Sequence, residues 1–485
     1  MLSAAINRAP PSSVALEDGQ RRLSYGQLAA ALRTETRWLA ANEGRRYATL
    51  IDNGINWAIT DLSLQSARLP HVPLPSFFTP AQLEHALDSA GVDGILTDQA
   101  APPVGTQWKV TGRSPGTGLQ LLRRRSQAPR GELPPGTSKL TYTSGSTGTP
   151  KGVCLAARHL AKVADTLAEA TRPLMLQRHL ALLPLPVLLE NVAGLYASLL
   201  AGSRCILPPL TETGMSHGGV DLARLGACVN RHRPDSVIVV PELLKAMVAA
   251  VEAGLLDPSS LRLVAVGGAA VPTALIEHAH KLGLPVFEGY GLSECASVTC
   301  LNLPNANRPG SVGRALPHVA LRIDTEGQLH VSGSTMLGYV GDAARPTDAE
   351  LATGDLAEMD DDGFVYLRGR QRNLFITSHG RNVSPEWVER EILTEGGIQQ
   401  VMVSGEARPY AVALINAATD LVDATIQSVI ERANARLPDY ARVLRWARIG
   451  EPFTFANGLL TANGRLRRDF IAERHRLSID SLYQA

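Results

Sequence analysis

The stretch LTYTSGSTGTPKGV, residues 140–153, crowds hydroxyls and glycines together and closes on a single lysine. Lysine is scarce in this chain, with six lysines against 41 arginines, so Lys151 stands out as a reserved cation. Backbone N–H groups of a glycine-rich turn converge readily on an anion, and neighbouring hydroxyls add donors. A lysine ammonium then supplies a point charge for a phosphate oxygen. Thr143, Ser144, Gly145, Ser146, Thr147, Gly148 and Lys151 are therefore candidate contacts for a pyrophosphate-bearing ligand. The spacing is not that of a Walker A loop, because Pro150 precedes the lysine where that motif needs glycine. Taken alone, the same text also suits a polar surface loop.

The sequence on both sides of the loop alternates between strands and helices. Before it, YATLID, HVPLP and GILTD read as strands, separated by the helical patterns NWAITDLSLQSARL and PAQLEHALDSA. After it, DSVIVV, LRLVAVGGAA and PVFEGYG read as strands, and PELLKAMVAAVEAGL and PTALIEHAHKLG as helices. Apolar strands spaced by helices predict parallel sheets covered on both faces. SPGTGLQLLRRRSQAPRGELPPGTS, residues 114–138, reads as loose surface, with the arginine run 123–125 on a solvated face. From Gly310 turn residues separate short alternating runs, which predicts antiparallel strands. Beyond RGRQRN a unit of about a hundred residues, near the usual domain size, holds a hairpin, a helix and a further strand.

Composition narrows the function classes. At 485 residues the chain exceeds one ordinary core, for which ~100–200 residues is usual. A net charge of +1 gives no broad footprint for nucleic acid. Five cysteines without CxxC spacing point to a reducing, cytoplasmic setting and away from structural zinc. No signal-peptide pattern opens the chain. The most apolar stretch, residues 180–202, carries Glu190, Asn191 and two prolines, so it reads as buried core and not as an integral membrane segment.

Four further motifs follow the loop in order: YGLSE (290–294), TGD (353–355), GRQRNLFITSHGRNVSPEWVE (369–389) and LLTANGRLRRDFIAERH (459–475). Together with the loop they resemble the adenylate-forming superfamily of acyl-CoA synthetases, nonribosomal adenylation domains and firefly luciferase, over nearly the whole chain. The motif style is closest to long-chain acyl-CoA synthetase-like ligases. The resemblance implies an α/β fold: a large N-terminal domain (1–370) of two parallel α/β subdomains plus a β-rich subdomain, and a small mobile α+β C-terminal domain (371–485). It implies ATP- and Mg²⁺-dependent activation of a carboxylic acid to an acyl-adenylate with release of pyrophosphate, then transfer to a thiol of coenzyme A or of phosphopantetheine on an acyl carrier protein.

By position, the resemblance gives the 143–148 loop and Lys151 to the phosphates and Glu294 to Mg²⁺. Tyr290, Gly291 and Ser293 go to the nucleotide, with Gly267, Gly268 and Ala269 as the wall opposite the adenine. Asp355 matches the acceptor of both ribose hydroxyls and Arg370 a second ribose or phosphate contact. Each pairing is chemically apt: a carboxylate accepts from a vicinal diol, and glycine lets backbone approach a ring closely. Arg372 stands at the hinge position and Gly380 at the thiol tunnel. Ser384, Pro385 and Glu386 equally read as a helix start.

The tail departs from the pattern. Where the superfamily has a lysine that completes adenylation, TANGRLRR places Arg465, and no lysine follows Lys281. Arginine keeps the charge and can fork across a carboxylate and a phosphate oxygen, yet the two residues are not interchangeable at positioned sites. Retained adenylation through Arg465 competes with an adenylate-binding protein whose adenylation is weakened or lost. In the substrate region, LPLPVLLENVAGLY lacks the aspartate that an α-amino acid would need, and Glu190 is its one acid. Val187, Leu188, Val192, Val239, Pro241 and Leu244, with Gly267 and Gly268, are the expected walls, which favours a fatty or other apolar acid.

Overall fold

The apolar runs around the quoted loop form two large sheets in the computed structural model, which describes residues 2–42, 44–125, 131–143, 150–216, 219–346, 349–395, 397–461 and 464–484. One sheet has a parallel centre of Thr137–Thr143, His71–Pro73, Tyr47–Leu50 and Gly94–Thr97. The other has six adjacent parallel strands: Val14–Glu17, Arg204–Ile206, Arg178–Leu180, Ser236–Val239, Leu263–Val266 and Val286–Leu292. The expectation of parallel sheets needs one correction. Both sheets carry antiparallel edges, including the Thr137–Thr143/Lys151–Ala156 hairpin and the return strand Ser297–Leu301. The return strand follows its neighbour after only Ser293–Ala296, whereas a parallel connection needs a crossover of about a dozen residues or more.

A shared helical layer lies between the sheets. Leu28, Ile59, Leu160, Val163 and Val192 from that layer pack with Leu16 and Cys205 of one sheet and Tyr47 and Val153 of the other. Helices Leu222–His232, Pro241–Glu252 and Thr273–Lys281 cover the far face of the nine-stranded sheet. Helix Pro80–Ser89, started by a Thr79 capping box and Pro80, covers the far face of the other. Covering both faces explains the near-continuous apolar strands.

The stretch 114–138 is the second correction. Gln120–Arg124 is a sheet strand paired to Gly94–Thr97 and Trp108–Arg113. Arg123 donates to the Tyr47 hydroxyl at 2.9 Å, and Arg124 stacks over Trp108 and pairs with Asp88. Long arginine stems bury along aromatic faces, so a charge run that reads as solvated is partly buried here.

Four antiparallel strands, Val319–Ile323, Gln328–Gly333, Leu351–Met359 and Val365–Arg370, form the β-rich part. Residues after 374 pack around their own cores. Phe375, Val388, Ile392 and Ile430 lie on one face of the sheet Ile398–Ser404, Ala411–Ala417 and Val443–Arg448, with Met402, Leu414, Phe453 and Ile471 on the other. Among the described residues, no helix is long and apolar enough to cross a membrane.

Candidate functional site

A cavity of about 1410 Å³ opens where the parallel strands of the larger sheet end. In open α/β sheets the crevice beyond the carboxyl ends of the strands is the usual ligand site. Val240, Gly267, Gly289 and Glu294 line it from these strand ends, and Asp355, Arg370 and Arg465 close it from later segments.

The Thr137–Thr143/Lys151–Ala156 hairpin delivers Thr143 and Lys151 as directly opposed partners. Residues Ser144, Gly145, Ser146, Thr147 and Gly148 lie outside the described residues. The base of the hairpin is tied down: the Tyr142 hydroxyl is 2.7 Å from Ser89 Oγ and donates to Ala86 O at 3.1 Å, and His85 Nε2 is 3.0 Å from Pro150 O. Lys151 Nζ lies 5.5 Å from the centre of the Tyr339 ring, and the Tyr339 hydroxyl donates to Glu294 Oε1 at 3.0 Å. One tyrosine thus joins the lysine to the acid. Pairing of Tyr339 with Val153 puts it there. Burial, then the Glu294 charge, pushes its phenol above the ordinary range, so it remains a donor. Sequence reasoning missed Tyr339, although an aromatic residue between Gly338 and Gly341 was a visible signal. With one carboxylate oxygen held by Tyr339, Glu294 offers the hard oxygen donor that Mg²⁺ takes.

Asp355 is buried, 4% exposed, yet makes two charged or polar contacts. Its Oδ2 accepts from the Tyr290 hydroxyl at 2.6 Å and its Oδ1 lies 2.8 Å from Arg370 Nε. Strand register sets the second contact, because Asp355 and Arg370 are directly opposed. Burial, then the Asp355 carboxylate, raises the Tyr290 phenol well above its usual value, so it stays protonated and donating. Thr353 Oγ1 accepts from the Asp355 N–H at 3.0 Å, which explains the threonine of TGD.

Arg465 reaches this cluster from a tight turn in which the Thr461 and Arg465 backbones bond each other. Its Nε donates to the Gly268 carbonyl at 2.8 Å. Gly268 has φ +89°, a left-handed conformation that favours glycine and turns its carbonyl toward the guanidinium. Burial, then the Arg370 cation, pulls the Arg465 pKa below the ordinary arginine value, while Asp355, Tyr290 and Glu294 oppose that shift. Arg372 also lines the cavity, in the short turn Gln371–Asn373. Gly291, Ser293 and Ala269 line it as well. Gly380 does not border it; it sits at φ +71° in the turn closed by Thr377 and Arg381.

The expected acid walls divide. Val187, Leu188 and Pro241 line the cavity, whereas Val192, Val239 and Leu244 are fully buried in the two neighbouring cores. Strand alternation turns Val239 to the far face of its strand, and Val192 and Leu244 point from their helices into the cores. The cavity is floored by Ser236, Ile238 and Val240 of one strand and by Leu263, Ala265 and Gly267 of the next. Its opposite wall is a π-helical segment, Glu190–Tyr196, reached through Leu189 and Ala193. That segment is anchored by charge. Tyr196 donates to Asp61 Oδ2 at 2.6 Å, Asn191 donates to the same oxygen at 3.2 Å, and Lys139 Nζ is 2.7 Å from Asp61 Oδ1.

Buried Glu288, beside Arg390 at the base of the cavity, is raised to about 7 by burial, against the pull of that arginine. The folded protein therefore holds a proton that the unfolded chain releases near 4.5. This contribution, roughly 3 kcal/mol at most, is present below that pH and is lost as pH rises through 7. Melting temperatures between pH 5 and 8 should fall less steeply in Glu288→Gln than in the parent; equal slopes would refute the assignment.

The AMP-binding enzyme family model matches residues 2–340, and that of the AMP-binding enzyme C-terminal domain matches residues 373–485. Long-chain-fatty-acid–CoA ligase FadD15 of Mycobacterium bovis is 30% identical over 250 residues, which span 45% of this chain and 42% of that protein. Indoleacetate–CoA ligase of Aromatoleum aromaticum is 29% identical over 444 residues, 81% of this chain and 82% of that one. The crystal structure of the anthranilate CoA ligase AuaEII with anthranoyl-AMP superposes with a TM-score of 0.80, at 19% identity, over 99% of this chain and 98% of that one.

Proposed function

This chain belongs to the AMP-binding enzyme family, and from that premise we propose that it activates a carboxylic acid with Mg·ATP and passes the acyl group to a thiol. The carboxylate attacks the α-phosphate, pyrophosphate leaves, and the acyl-adenylate is cleaved by the thiol. In this reading Lys151 and the 143–148 loop hold the leaving phosphates and Glu294 holds Mg²⁺, which would screen charge at the leaving group. Asp355, fixed by Tyr290 and Arg370, accepts from the ribose. Arg465 lies among these groups and places its cation where the carboxylate meets the α-phosphate. The relatives' names favour coenzyme A over a carrier protein as acceptor. Five free, buried cysteines suit a reducing cytoplasm. The division into working units falls near 370, with Arg372 as hinge.

The observation that carries the substrate class is Ala265. It is the one residue of its strand, Leu263–Val266, that is not buried, and it lines the cavity beside its register partner Ile238. A small side chain there leaves an apolar channel running along the sheet, about 13 Å over four residues at ~3.3 Å each. Such a channel fits an extended apolar acid. Replacing Ala265 with phenylalanine should lower kcat/KM for the longest acids roughly tenfold relative to the shortest, the scale of one or two misfit methylenes. A chain-length profile unchanged by Ala265→Phe would place the acid elsewhere.

A further inference from the structure

The channel does not stay apolar. Its floor passes from Gly267 and Val240 through Ala265 and Ile238 to Ser236, where the His179 ring joins the lining. Ser236 Oγ lies 3.0 Å from His179 Nδ1, and His179 Nε2 lies 2.8 Å from Glu190 Oε1. Glu190 is fully buried and its second oxygen accepts from the Leu183 N–H at 3.1 Å. Gly194 makes room for this row: a Cβ there would stand 2.0 Å from Glu190 Oε1 and 2.6 Å from His179 Nε2. The π-helical wall thus carries a glycine where a buried carboxylate and imidazole sit beside the channel floor.

We propose that Ser236, oriented by His179 and Glu190, is a recognition site for a hydroxyl on the acid, carried about 13 Å from the reacting carboxylate, four residues along the strand at ~3.3 Å each. This rests on the acid-activation reading above. A carboxylate only accepts, so Nε2 carries a proton toward Glu190. A serine hydroxyl has one donor and two acceptor positions, and Nδ1 uses one of them. With a neutral ring, Ser236 donates to Nδ1 and keeps acceptor lone pairs for the ligand. With an imidazolium, it accepts from Nδ1–H and keeps its own proton to donate. An alcohol can donate and accept, so it serves both states. A plain alkyl end would strip water from Ser236 and return no hydrogen bond, which costs affinity.

The test is acid-dependent pyrophosphate release with terminal-hydroxy acids of graded length, each beside its unsubstituted parent, in the full chain. At the length that spans the channel, kcat/KM for the hydroxy acid should exceed that of its parent about tenfold, the scale of one good hydrogen bond. Ser236→Ala should bring this ratio to one or below, and Ser236→Val should reverse it. The ratio is internal to each variant, so a partly misfolded preparation does not move it. A row that only pins the helix to the strands would lower the melting temperature and leave the ratio alone. Parent acids preferred at every length, or a preference that survives Ser236→Ala, would overturn the proposal while leaving acid activation intact. Silence with every acid would overturn both.

Discussion

Asp355→Ala should lower acid-dependent pyrophosphate release by a hundredfold or more and weaken ATP binding, with Asp355→Asn falling between. Three groups depend on this carboxylate. Tyr290 donates to Oδ2 and Arg370 pairs with Oδ1, and the nucleotide ribose is its proposed third partner. Removing one partner of a buried ion pair costs ~3–5 kcal/mol, because the other charge is left uncompensated. Arg370 keeps some contact with water, its side chain being 23% exposed, so the low end of that range applies. Asparagine preserves shape and can still accept at its carbonyl oxygen, but it loses the charge facing Arg370. The checks are calorimetric ATP affinity and steady-state pyrophosphate release, with melting temperature as control. An Asp355→Ala protein with full ATP affinity would remove Asp355 from the nucleotide site.

The second large effect belongs to Arg465. Arg465→Ala should slow adenylate formation ~10²–10³-fold, the loss expected when one positioned charge is taken from a transition state. ATP affinity should change far less. Arg465→Lys should retain a measurable part of the rate, since an ammonium keeps the charge but not the Nε–H that holds the Gly268 carbonyl or the planar guanidinium. The same variants separate two roles. If arginine has silenced adenylation, lysine should raise the rate above the parent; if arginine serves the reaction, lysine should lower it. Single-turnover measurement of acyl-adenylate isolates this step from thiol transfer, in which Arg465 takes no part in the proposed scheme. Equal rates in parent and Arg465→Ala would exclude it from the chemistry.

Much of the site was legible before the fold. The ordered motifs named Glu294, Asp355, Arg370 and Arg465, and the structure gathers all four around one cavity. Motif spacing could not give the reason Asp355 meets Arg370, which is cross-strand register. The expected acid wall was read correctly at Val187, Leu188 and Pro241, which line the cavity, and one residue out of phase on the strand. Val239 and Leu244 are core, and Ile238, Val240 and Ala265 face the cavity. A parallel strand buried on both faces shows no polar alternation along its apolar residues, so nothing in VIV marks which of them faces the cavity. Glu190 was visible as a lone acid in an apolar run. Its partners His179 and Ser236 are 11 and 46 residues away in sequence and meet it only through parallel pairing of their strands. The arginine run 123–125 misled for a related reason, because charge predicts solvent only until an aromatic face and a carboxylate are brought beside it.

The most direct measurement is Mg·ATP-dependent pyrophosphate release from the purified protein against fatty acids of graded length, arylacetates and benzoates, each with and without coenzyme A. Release with extended apolar acids, rising further and yielding an acyl thioester when coenzyme A is present, is the expected result. Tight ATP binding with no release for any acid, in the parent and in Arg465→Lys alike, would contradict acid activation and leave a nucleotide-binding protein.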